Sequence, residues 1–260
     1  MCLVLLAWQP DTKHQLVMAA NRDEFFARPA VPIDWWDDQP NIIGGRDLEA
    51  GGTWLALGRH GRFAVVTNFR DPKPAPAKRS RGDLIPTWLS GDYDADEFRR
   101  FMEANETEFA GFNLLYGDQS ALFYFSNRST KNGRVAPGYY ALSNAALDAD
   151  WPKMVNGRAF IKSAVLENRL HPNDLAEYLR DRSPAPDRLL PQPFLPLEQR
   201  RLLSAPFIMG ETYGTRCSTI VTIDDAGEAT IVEQQFAPLG KPTDIKTLNY
   251  KIKTPTTEPR

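Results

Sequence analysis

The sequence contains few of the residues that build metal sites and disulfides. Its 260 residues include two cysteines, Cys2 and Cys217, and three histidines that lie far apart in the chain. Two cysteines do not make a disulfide framework, and neither HExxH nor CxxC occurs. We therefore expect no protein-built metal site, and we expect both thiols to be reduced.

The sequence also has no excess of charge and no long apolar segment. Lys and Arg number 31 against 33 Asp and Glu, a net charge of −2, whereas nucleic-acid-binding proteins usually show a basic excess. The longest apolar run, residues 1–8, is far shorter than the about 20 residues that span a bilayer. It also lacks the basic segment and cleavage site of a signal peptide. We predict a cytoplasmic protein with no nucleic-acid partner and no membrane span; its oligomeric state stays open.

What the sequence does contain is a series of strand patterns. Apolar segments on either side of polar or glycine-containing turns predict three hairpins: Thr53–Gly58 with Phe63–Thr67, Phe112–Tyr116 with Ala121–Ser126, and Thr219–Ile223 with Ala229–Gln234. Further strands are predicted at Cys2–Trp8, Gln15–Ala20 and Tyr139–Ser143. Consecutive hairpins of this kind are typical of antiparallel sheets.

Helical spacing of apolar residues occurs between the strand patterns. It links Phe98, Phe101, Met102 and Phe109, continues in Lys153–Leu170, and recurs at Leu175, Tyr178 and Leu179, with Asn173 or Asp174 as a cap. Helices inserted between hairpins favour an antiparallel α+β layered fold. We predict one domain over residues 1–253 and a frayed tail over 254–260. Proline clusters at 72–76 and 184–196 predict surface loops.

Cys2 is the first candidate for chemistry. Cysteine is small enough for the preceding methionine to be removed, which would leave a thiol and a free α-amino group on one residue. That amine has a reference pKa of about 7.7–8.0 and the thiol one of about 8.5, so the amine can accept the thiol proton. The alternative is that Cys2 is only a small buried residue at the start of a strand.

Polar residues adjoin several of the predicted strands. Asn21-Arg22-Asp23-Glu24 follows one strand, Asn68 and Asn144 each follow another, and Arg216 precedes a fourth. If these strand ends meet near Cys2, they form a polar pocket at one edge of the core. Asn and Asp also end strands as ordinary turn formers, and that alternative stays open.

The charges of these residues suggest their roles. Arg22 or Arg216 beside the thiol would lower its pKa and favour the thiolate. Asn68 and Asn144 would donate hydrogen bonds to a developing oxyanion. Either carboxylate of Asp23-Glu24 would accept a hydrogen bond from the α-ammonium group.

Two glycine-rich segments are weaker signals. Gly44-Gly45-Arg46-Asp47 and Gly51-Gly52-Thr53-Trp54 match no phosphate-binding motif, so we predict turns, the second of which places Trp54. Arg46 is a candidate to bind a carboxylate or phosphate. Trp35-Trp36 is expected to pack in the core, with the lining of an apolar pocket as the alternative.

Seven short motifs together resemble the NRDE proteins, the relatives of the transport and Golgi organisation protein 2. They are Met1-Cys2-Leu3, Asn21-Arg22-Asp23-Glu24, Gly51-Gly52-Thr53-Trp54, Val66-Thr67-Asn68, Ser80-Arg81-Gly82, Leu142-Ser143-Asn144 and Tyr213-Gly214-Thr215-Arg216. That family in turn resembles the N-terminal nucleophile hydrolases, especially the cholylglycine hydrolase and penicillin V acylase branch. This resemblance implies a four-layer αββα sandwich of two antiparallel sheets.

The hydrolase branch uses an N-terminal Cys, an early Arg, a carboxylate, two Asn and a late Arg, in that order. The resemblance thus implies a catalytic set of Cys2, Arg22, Asp23, Asn68, Asn144 and Arg216, to which we add Glu24, Arg46 and Trp54 as substrate-binding residues. One position departs from the pattern, because the carboxylate three residues after the Arg is here Phe25. Asp23 or Glu24 would have to replace it from a different backbone position.

Two functions from different classes are therefore predicted, both with a small-molecule partner. The first is an amidase-type hydrolase in which Cys2 attacks the C–N bond of a small acyl compound without a cofactor. The second is a non-catalytic protein on the same scaffold that binds and traffics haem or a lipid-like ligand such as acyl-CoA. For haem, Cys2 or a histidine would be the axial ligand.

Overall fold

Two antiparallel β-sheets form the centre of the computed structural model, which describes residues 2–10, 12–72 and 76–253. Within these residues the strands are β1 Cys2–Trp8, β2 His14–Phe25, β3 Ala30–Trp35, β4 Ile42–Asp47, β5 Leu55–Gly58, β6 Phe63–Asn68, β7 Phe112–Gly117, β8 Leu122–Ser126, β9 Gly133–Val135, β10 Gly138–Leu142, β11 Tyr213–Asp224, β12 Glu228–Ala237 and β13 Lys241–Lys251. The first sheet has the order β10-β1-β2-β11-β12-β13, and the second has the order β3-β4-β5-β6-β7-β8-β9.

The helices lie outside the two sheets. They are α1 Leu84–Ser90, α2 Ala95–Ala104, α3 Pro152–Leu166, α4 Pro172–Leu179 and α5 Leu197–Ser204. Helices α3 and α4 pack on the first sheet, and α1 and α2 pack on the second. None of the helices in the part of the chain that the structure describes is long and apolar enough to span a bilayer.

Alternation of residues along the strands separates three apolar cores. In β1, Val4 and Leu6 belong to the core between the sheets, whereas Leu3 and Leu5 belong to the core under α3 and α4. A third core joins the second sheet to α1 and α2. The layers therefore follow the order helix, sheet, sheet, helix, and the predicted αββα sandwich is confirmed.

The three predicted hairpins form, with shifted boundaries. They are the antiparallel pairs β5 with β6, β7 with β8, and β11 with β12. The third hairpin is much longer than predicted, because β11 begins at Tyr213 and β12 ends at Ala237.

The predicted turn at Gly44-Gly45-Arg46-Asp47 is wrong, because these residues belong to strand β4. The glycines are needed for close packing rather than for a turn. A Cβ on Gly44 would lie 2.7 Å from the Cβ of Ala56, and a Cβ on Gly45 would lie 2.3 Å from the Trp54 ring. The second glycine-rich segment does turn, at Gly51 with a φ of +77°.

Three helix predictions also need correction. Phe109 lies beyond α2, although it packs in the same core. Helix α3 ends at Leu166 instead of Leu170, and Asn168 then adopts a φ of +53°. The cap of α4 is His171, whose Nδ1 accepts a hydrogen bond from the backbone N–H of Asn173 at 3.3 Å.

Some predictions fall outside the described residues. These are the frayed tail at 254–260 and residues 73–75 of the first proline cluster. The single domain over residues 1–253 stays a prediction.

Candidate functional site

Cys2, Arg22 and Cys217 lie side by side on three neighbouring strands of the first sheet. Arg22 on β2 pairs with Cys2 on β1 at one side and with Cys217 on β11 at the other. Directly paired residues of antiparallel strands project to the same face of the sheet. Val4 and Ala20, two positions along β1 and β2, belong to the core between the sheets, so this face is the one towards the second sheet.

A cavity of about 110 Å³ opens beside Cys2, and we call it the Cys2 cavity. Of the predicted site residues, it is lined by Cys2, Arg22, Asp23, Glu24, Trp54 and Asn68. Sequence positions up to 66 residues apart thus meet at one place, as predicted from the strand ends. The cavity is also lined by residues that the sequence analysis did not assign to the site, among them Arg28, Asp47 and Arg81.

Arg22 is held rigidly at the cavity wall. Its Nη2 lies 3.2 Å from Oδ2 of Asp47, and its guanidinium lies 4.1 Å from the centre of the Trp54 ring. Asp47 also accepts a hydrogen bond from Nε of Arg28 at 2.6 Å. Burial raises the pKa of the Asp47 carboxyl, but the hydrogen bonds from Arg28 and from the Ala50 backbone, together with the charges of Arg28 and Arg22, lower the pKa overall. Asp47 is therefore an anion that fixes two guanidinium groups.

The Cys2 thiol is not activated by charge alone. Burial raises its pKa, and the charge of Asp23 acts in the same direction. Arg22 lowers the thiol pKa, as predicted, but burial outweighs this effect. The residue is half-buried and lines the cavity. With a raised pKa, the thiol needs a base before it can act as a nucleophile.

Asp23 contacts the helical layer, away from the core between the sheets. It is 1% exposed, and its Oδ1 accepts a hydrogen bond from Oγ1 of Thr215 at 2.7 Å. Lys153 on α3 is 3% exposed and donates from Nζ to the carbonyl of Leu203 at 2.9 Å. Burial raises the pKa of Asp23 and lowers that of Lys153, and the two opposite charges counteract both shifts. The buried Lys153 amine thus stands near the buried Asp23 carboxyl of the site.

Lys153 was missed by the sequence analysis, although a signal was present. It occupies the same face of α3 as the buried residues Gly157, Ile161 and Ala164. A lysine on an otherwise apolar helix face has to find a polar partner in the interior.

Asn144 does not line the Cys2 cavity but stands behind Asn68. Its side-chain Nδ2 donates to the backbone carbonyl of Asn68 at 2.7 Å. The backbone carbonyl of Asn144 accepts a hydrogen bond from the backbone N–H of Arg70 at 3.0 Å. The neighbouring Ser143 donates from Oγ to the carbonyl of Cys2 at 2.7 Å. The Ser143-Asn144 pair thereby ties the end of β6 to the start of β1.

Two predicted residues lie away from the cavity. Arg216 donates from Nη1 to the carbonyls of Phe25 and Arg28, at 2.8 and 2.9 Å. Arg46 pairs with Asp38 and lies 4.0 Å from the centre of the Trp36 ring. The expectation that Arg216 meets Cys2 is therefore wrong. Arg46, predicted as a substrate-binding residue, does not line the Cys2 cavity.

Arg46 instead lines a larger concavity of about 780 Å³ between β3 and β13, which we call the edge groove. Its apolar wall consists of Val31, Pro32, Trp35, Trp36, Leu48 and Ile245. Its charged residues include the pairs Arg46 with Asp38 and Lys246 with Asp34. Trp35 and Trp36 both pack against a core and line this groove. Both predicted alternatives, core packing and the lining of an apolar pocket, therefore apply to them. Asp47 lines both concavities.

No group of three or more His, Cys, Asp or Glu side chains suited to a metal ion occurs among the described residues. The second thiol, Cys217, is 1% exposed, and burial raises its pKa well above the ordinary value. Cys2 is thus the more accessible of the two cysteines.

Comparison with known proteins identifies the family. The family model for Transport and Golgi organisation 2 matches residues 1–238. The Transport and Golgi organization protein 2 homolog of Bos taurus is 32% identical over 97% of this chain and 99% of its own length. The homolog of Homo sapiens is 31% identical over 91% of this chain and 93% of its own length. The chain belongs to the Transport and Golgi organisation 2 family, which confirms the resemblance seen in the short motifs.

Two solved structures are also similar to this chain. An N-acylethanolamine-hydrolyzing acid amidase ortholog from Caenorhabditis elegans has a TM-score of 0.43 at 9% identity, covering 84% of this chain and 92% of its own. The C2A mutant of the conjugated bile acid hydrolase from Clostridium perfringens has a TM-score of 0.42 at 10% identity, covering 96% and 97%. Both TM-scores lie below 0.5.

Proposed function

We propose that this member of the Transport and Golgi organisation 2 family is a hydrolase that uses Cys2 as an N-terminal nucleophile. Its substrate would be an amide of a small acyl compound, cleaved at the C–N bond. The observation that carries this proposal is the position of Cys2, at the first residue of β1 and at the wall of a polar cavity. Arg22 is fixed directly across from it.

The start of β1 also suits a free α-amine. Strand β2 continues past Arg22 to Phe25, so Asp23 and Glu24 extend beyond the first residue of β1. The backbone of Asp23 lowers the pKa of the Cys2 thiol through a hydrogen bond, although burial outweighs this effect. After removal of Met1, we expect the Asp23 carboxylate to accept a hydrogen bond from the Cys2 α-ammonium group. Asp23 would thereby take the place of the carboxylate that the hydrolase branch has at the position of Phe25.

The reaction then takes two steps. The α-amine accepts the thiol proton, the sulfur attacks the amide carbonyl carbon, and a C–S bond forms. The α-ammonium group returns the proton to the leaving nitrogen as the C–N bond breaks, which leaves a thioester on Cys2. A water molecule, deprotonated by the amine, hydrolyses the thioester, releases the carboxylic acid and regenerates the thiol. The raised pKa of the thiol makes this base necessary.

The oxyanion would be stabilised mainly by Asn68, which lines the cavity. Asn144 then acts as a positioning residue, because its amide holds the Asn68 backbone. Loss of one oxyanion donor lowers kcat by about 10²–10³ in hydrolases. We expect Asn68→Ala to show a loss of that size.

The test is hydrolysis of a panel of small N-acyl amides, followed by release of the amine. We expect turnover by the wild-type protein, none by Cys2→Ala, and near wild-type rates for the matched control Cys217→Ser, which replaces the other, buried thiol. Circular dichroism should show that the wild-type protein and both variants are folded. Turnover that survives Cys2→Ala would contradict the proposal, as would a panel on which the processed wild-type protein is inactive.

The edge groove favours a second function, the binding of a lipid-like acyl ligand without catalysis. Its volume of about 780 Å³ falls in the range of about 300–1,000 Å³ that is typical of small-molecule sites, and tryptophans line it. Arg46 and Lys246 are paired there with Asp38 and Asp34, so the apolar wall rather than a free charge would hold the acyl chain. This function predicts binding that survives Cys2→Ala and no amide turnover.

Haem fits the groove less well than an acyl chain. A bound haem iron takes an axial ligand such as His, Cys, Met or Tyr, and none of these residue types lines the groove in the described part of the chain. Of the two concavities, Cys2 lines the smaller Cys2 cavity and not the edge groove. A Soret band on haem titration that saturates near one per chain would nevertheless favour haem as the ligand.

A further inference from the structure

We infer that Arg81 binds a carboxylate of the substrate, so that the Cys2 cavity selects acyl amides that carry a negative charge beside the scissile bond. This inference rests on the proposed function, because it concerns the same cavity. It assigns a role to the Ser80-Arg81-Gly82 motif, which the proposed mechanism does not use.

The backbone around Arg81 is fixed against the loop that carries Trp54. A Cβ on Gly52 would lie 2.4 Å from the carbonyl carbon of Gly82, so glycine is needed at position 52 for this approach. The backbone N–H of Thr53 donates to the carbonyl of Gly82 at 3.2 Å, and Oγ of Ser80 accepts from the N–H of Gly82 at 3.2 Å. Arg81 is therefore held at the cavity wall by backbone contacts on both sides.

The other arginines of the cavity are already paired. Arg22 and Arg28 both bind Asp47, and Arg28 also binds Glu49. In contrast, no carboxylate within the described chain lies within 4 Å of the Arg81 guanidinium, whose one side-chain hydrogen bond there is from Nη1 to the carbonyl of Gly111 at 3.2 Å. A guanidinium has five N–H donors, so most of those of Arg81 are available to a ligand.

The distribution of charges also favours an anion beside Arg81. The carboxylates of Asp47 and Glu49 balance Arg22 and Arg28. Arg81 is the third guanidinium of the cavity wall, and it has no such partner among the described residues. Burial lowers the pKa of Arg81, and negative charge on Cys2 or Glu24 raises it. The guanidinium and the nucleophile therefore interact electrostatically across the cavity. A planar carboxylate matches the guanidinium fork with two parallel hydrogen bonds.

The test compares two alkylating reagents of nearly equal size that differ in charge, iodoacetate and iodoacetamide. Their rates with Cys2 are measured at one pH and compared with the same ratio for a free low-molecular-weight thiol. We expect the iodoacetate-to-iodoacetamide ratio of the wild-type protein to exceed that of the free thiol by about tenfold, which corresponds to about 1.4 kcal/mol. The excess should decrease at high salt.

Three variants show whether Arg81 causes the preference. Arg81→Met should reduce the ratio to that of the free thiol while the iodoacetamide rate changes less than about threefold. Arg81→Lys keeps the charge but loses the planar fork, so it should retain part of the excess. Arg79→Met is the matched control, since it removes one positive charge two residues away, where Arg79 pairs with Glu108.

The outcomes separate this inference from the proposed function. A thiol that reacts with neither reagent overturns both. Normal reaction with iodoacetamide but no preference for iodoacetate overturns the inference alone, and so does an equal loss of both rates in Arg81→Met, since Arg81 would then act on the thiol instead of the ligand. If Arg81→Met does not fold, the wild-type ratio and the Arg81→Lys ratio decide.

Discussion

Neighbouring residues of the Asn21-Arg22-Asp23-Glu24 motif have different tasks, because alternate residues of a strand project to opposite faces. Asn21 donates to the carbonyls of Leu179 and Pro206, at 2.8 and 2.9 Å, and so attaches the first sheet to the helical layer. Arg22 instead faces the second sheet, at the wall of the Cys2 cavity. The two alternatives left open for the carboxylate are thereby separated: Asp23 is buried near Lys153, whereas Glu24 is half-buried.

The chemical role of single residues could be predicted from the sequence better than the side of the sheet to which their side chains project. Cys2, Arg22 and Asn68 do meet, as expected from polar residues at strand ends. Arg216 does not join them, because the pairing of β11 with β2 shifts register between Thr215 and Cys217. A one-residue shift of this kind leaves no trace in composition or periodicity.

One residue, Glu233, makes a testable prediction about pH. It is 1% exposed on β12, and burial raises the pKa of its carboxyl. Its carboxyl accepts hydrogen bonds from the Ile33 backbone at 2.9 Å, from Thr219 at 2.8 Å and from Gln235 at 2.6 Å. A raised pKa in the folded state means that stability is fully present below the unfolded pKa and is lost as the pH rises through the folded pKa.

We therefore expect the free energy of unfolding of the wild-type protein to decrease, relative to Glu233→Gln, as the pH rises above about 4.5, the ordinary pKa of the group. Between the two pKa values the difference in slope should be about 1.4 kcal/mol per pH unit. Urea denaturation of both proteins across the pH range measures it. Parallel stability curves for the two proteins would show that Glu233 keeps its ordinary pKa.

At the scale of elements, the hairpins could be predicted because each is local in sequence. Strand β4 could not be predicted, because consecutive glycines in a sequence are typical of a turn. Their role in close packing depends on Ala56 and Trp54, which contact them only in the folded structure. Strand β13 was not predicted either. It is an edge strand whose first five residues are all exposed, and only from Lys246 onwards do partly buried and exposed residues alternate. Its pairing with β12 specifies it.

The contact between the Gly52 loop and the Gly82 turn yields a prediction at this scale. A Cβ on Gly52 would lie within 2.4 to 2.9 Å of three backbone atoms of Gly82, and backbone cannot move aside as a side chain can. We expect Gly52→Ala to lower the free energy of unfolding by about 1–3 kcal/mol, the usual effect of overpacking. Chemical denaturation measures the change.

Gly58→Ala is the matched control for this variant. A Cβ at Gly58, at the end of β5, would lie no closer than 3.5 Å to its neighbours, which is ordinary van der Waals contact. We expect its stability to stay within about 1 kcal/mol of the wild-type protein. Equal stabilities of the two alanine variants would refute the role given to the Gly52–Gly82 approach.

At the scale of the whole molecule, the layer order was implied by the family resemblance and not by periodicity. Hairpins and amphipathic helices are compatible with several layered folds. The two concavities depend on contacts between distant parts of the chain, such as that between β3 and β13 along the edge groove. For this reason the sequence did not show that Arg46 lines the edge groove, and it assigned no role to Arg81.

The whole molecule also determines which thiol reacts. Cys2 is half-buried at a cavity, whereas Cys217 is 1% exposed in the interior. The most direct test of the account is the intact mass of the native, untagged protein before and after brief treatment with iodoacetamide. We predict a chain that lacks Met1 and gains one carbamidomethyl group, mapped to Cys2, with Cys217 modified only after denaturation. A chain that retains Met1, or that gains no adduct at Cys2, would contradict an N-terminal nucleophile, because the α-amine would be bound in a peptide or the thiol would be inert.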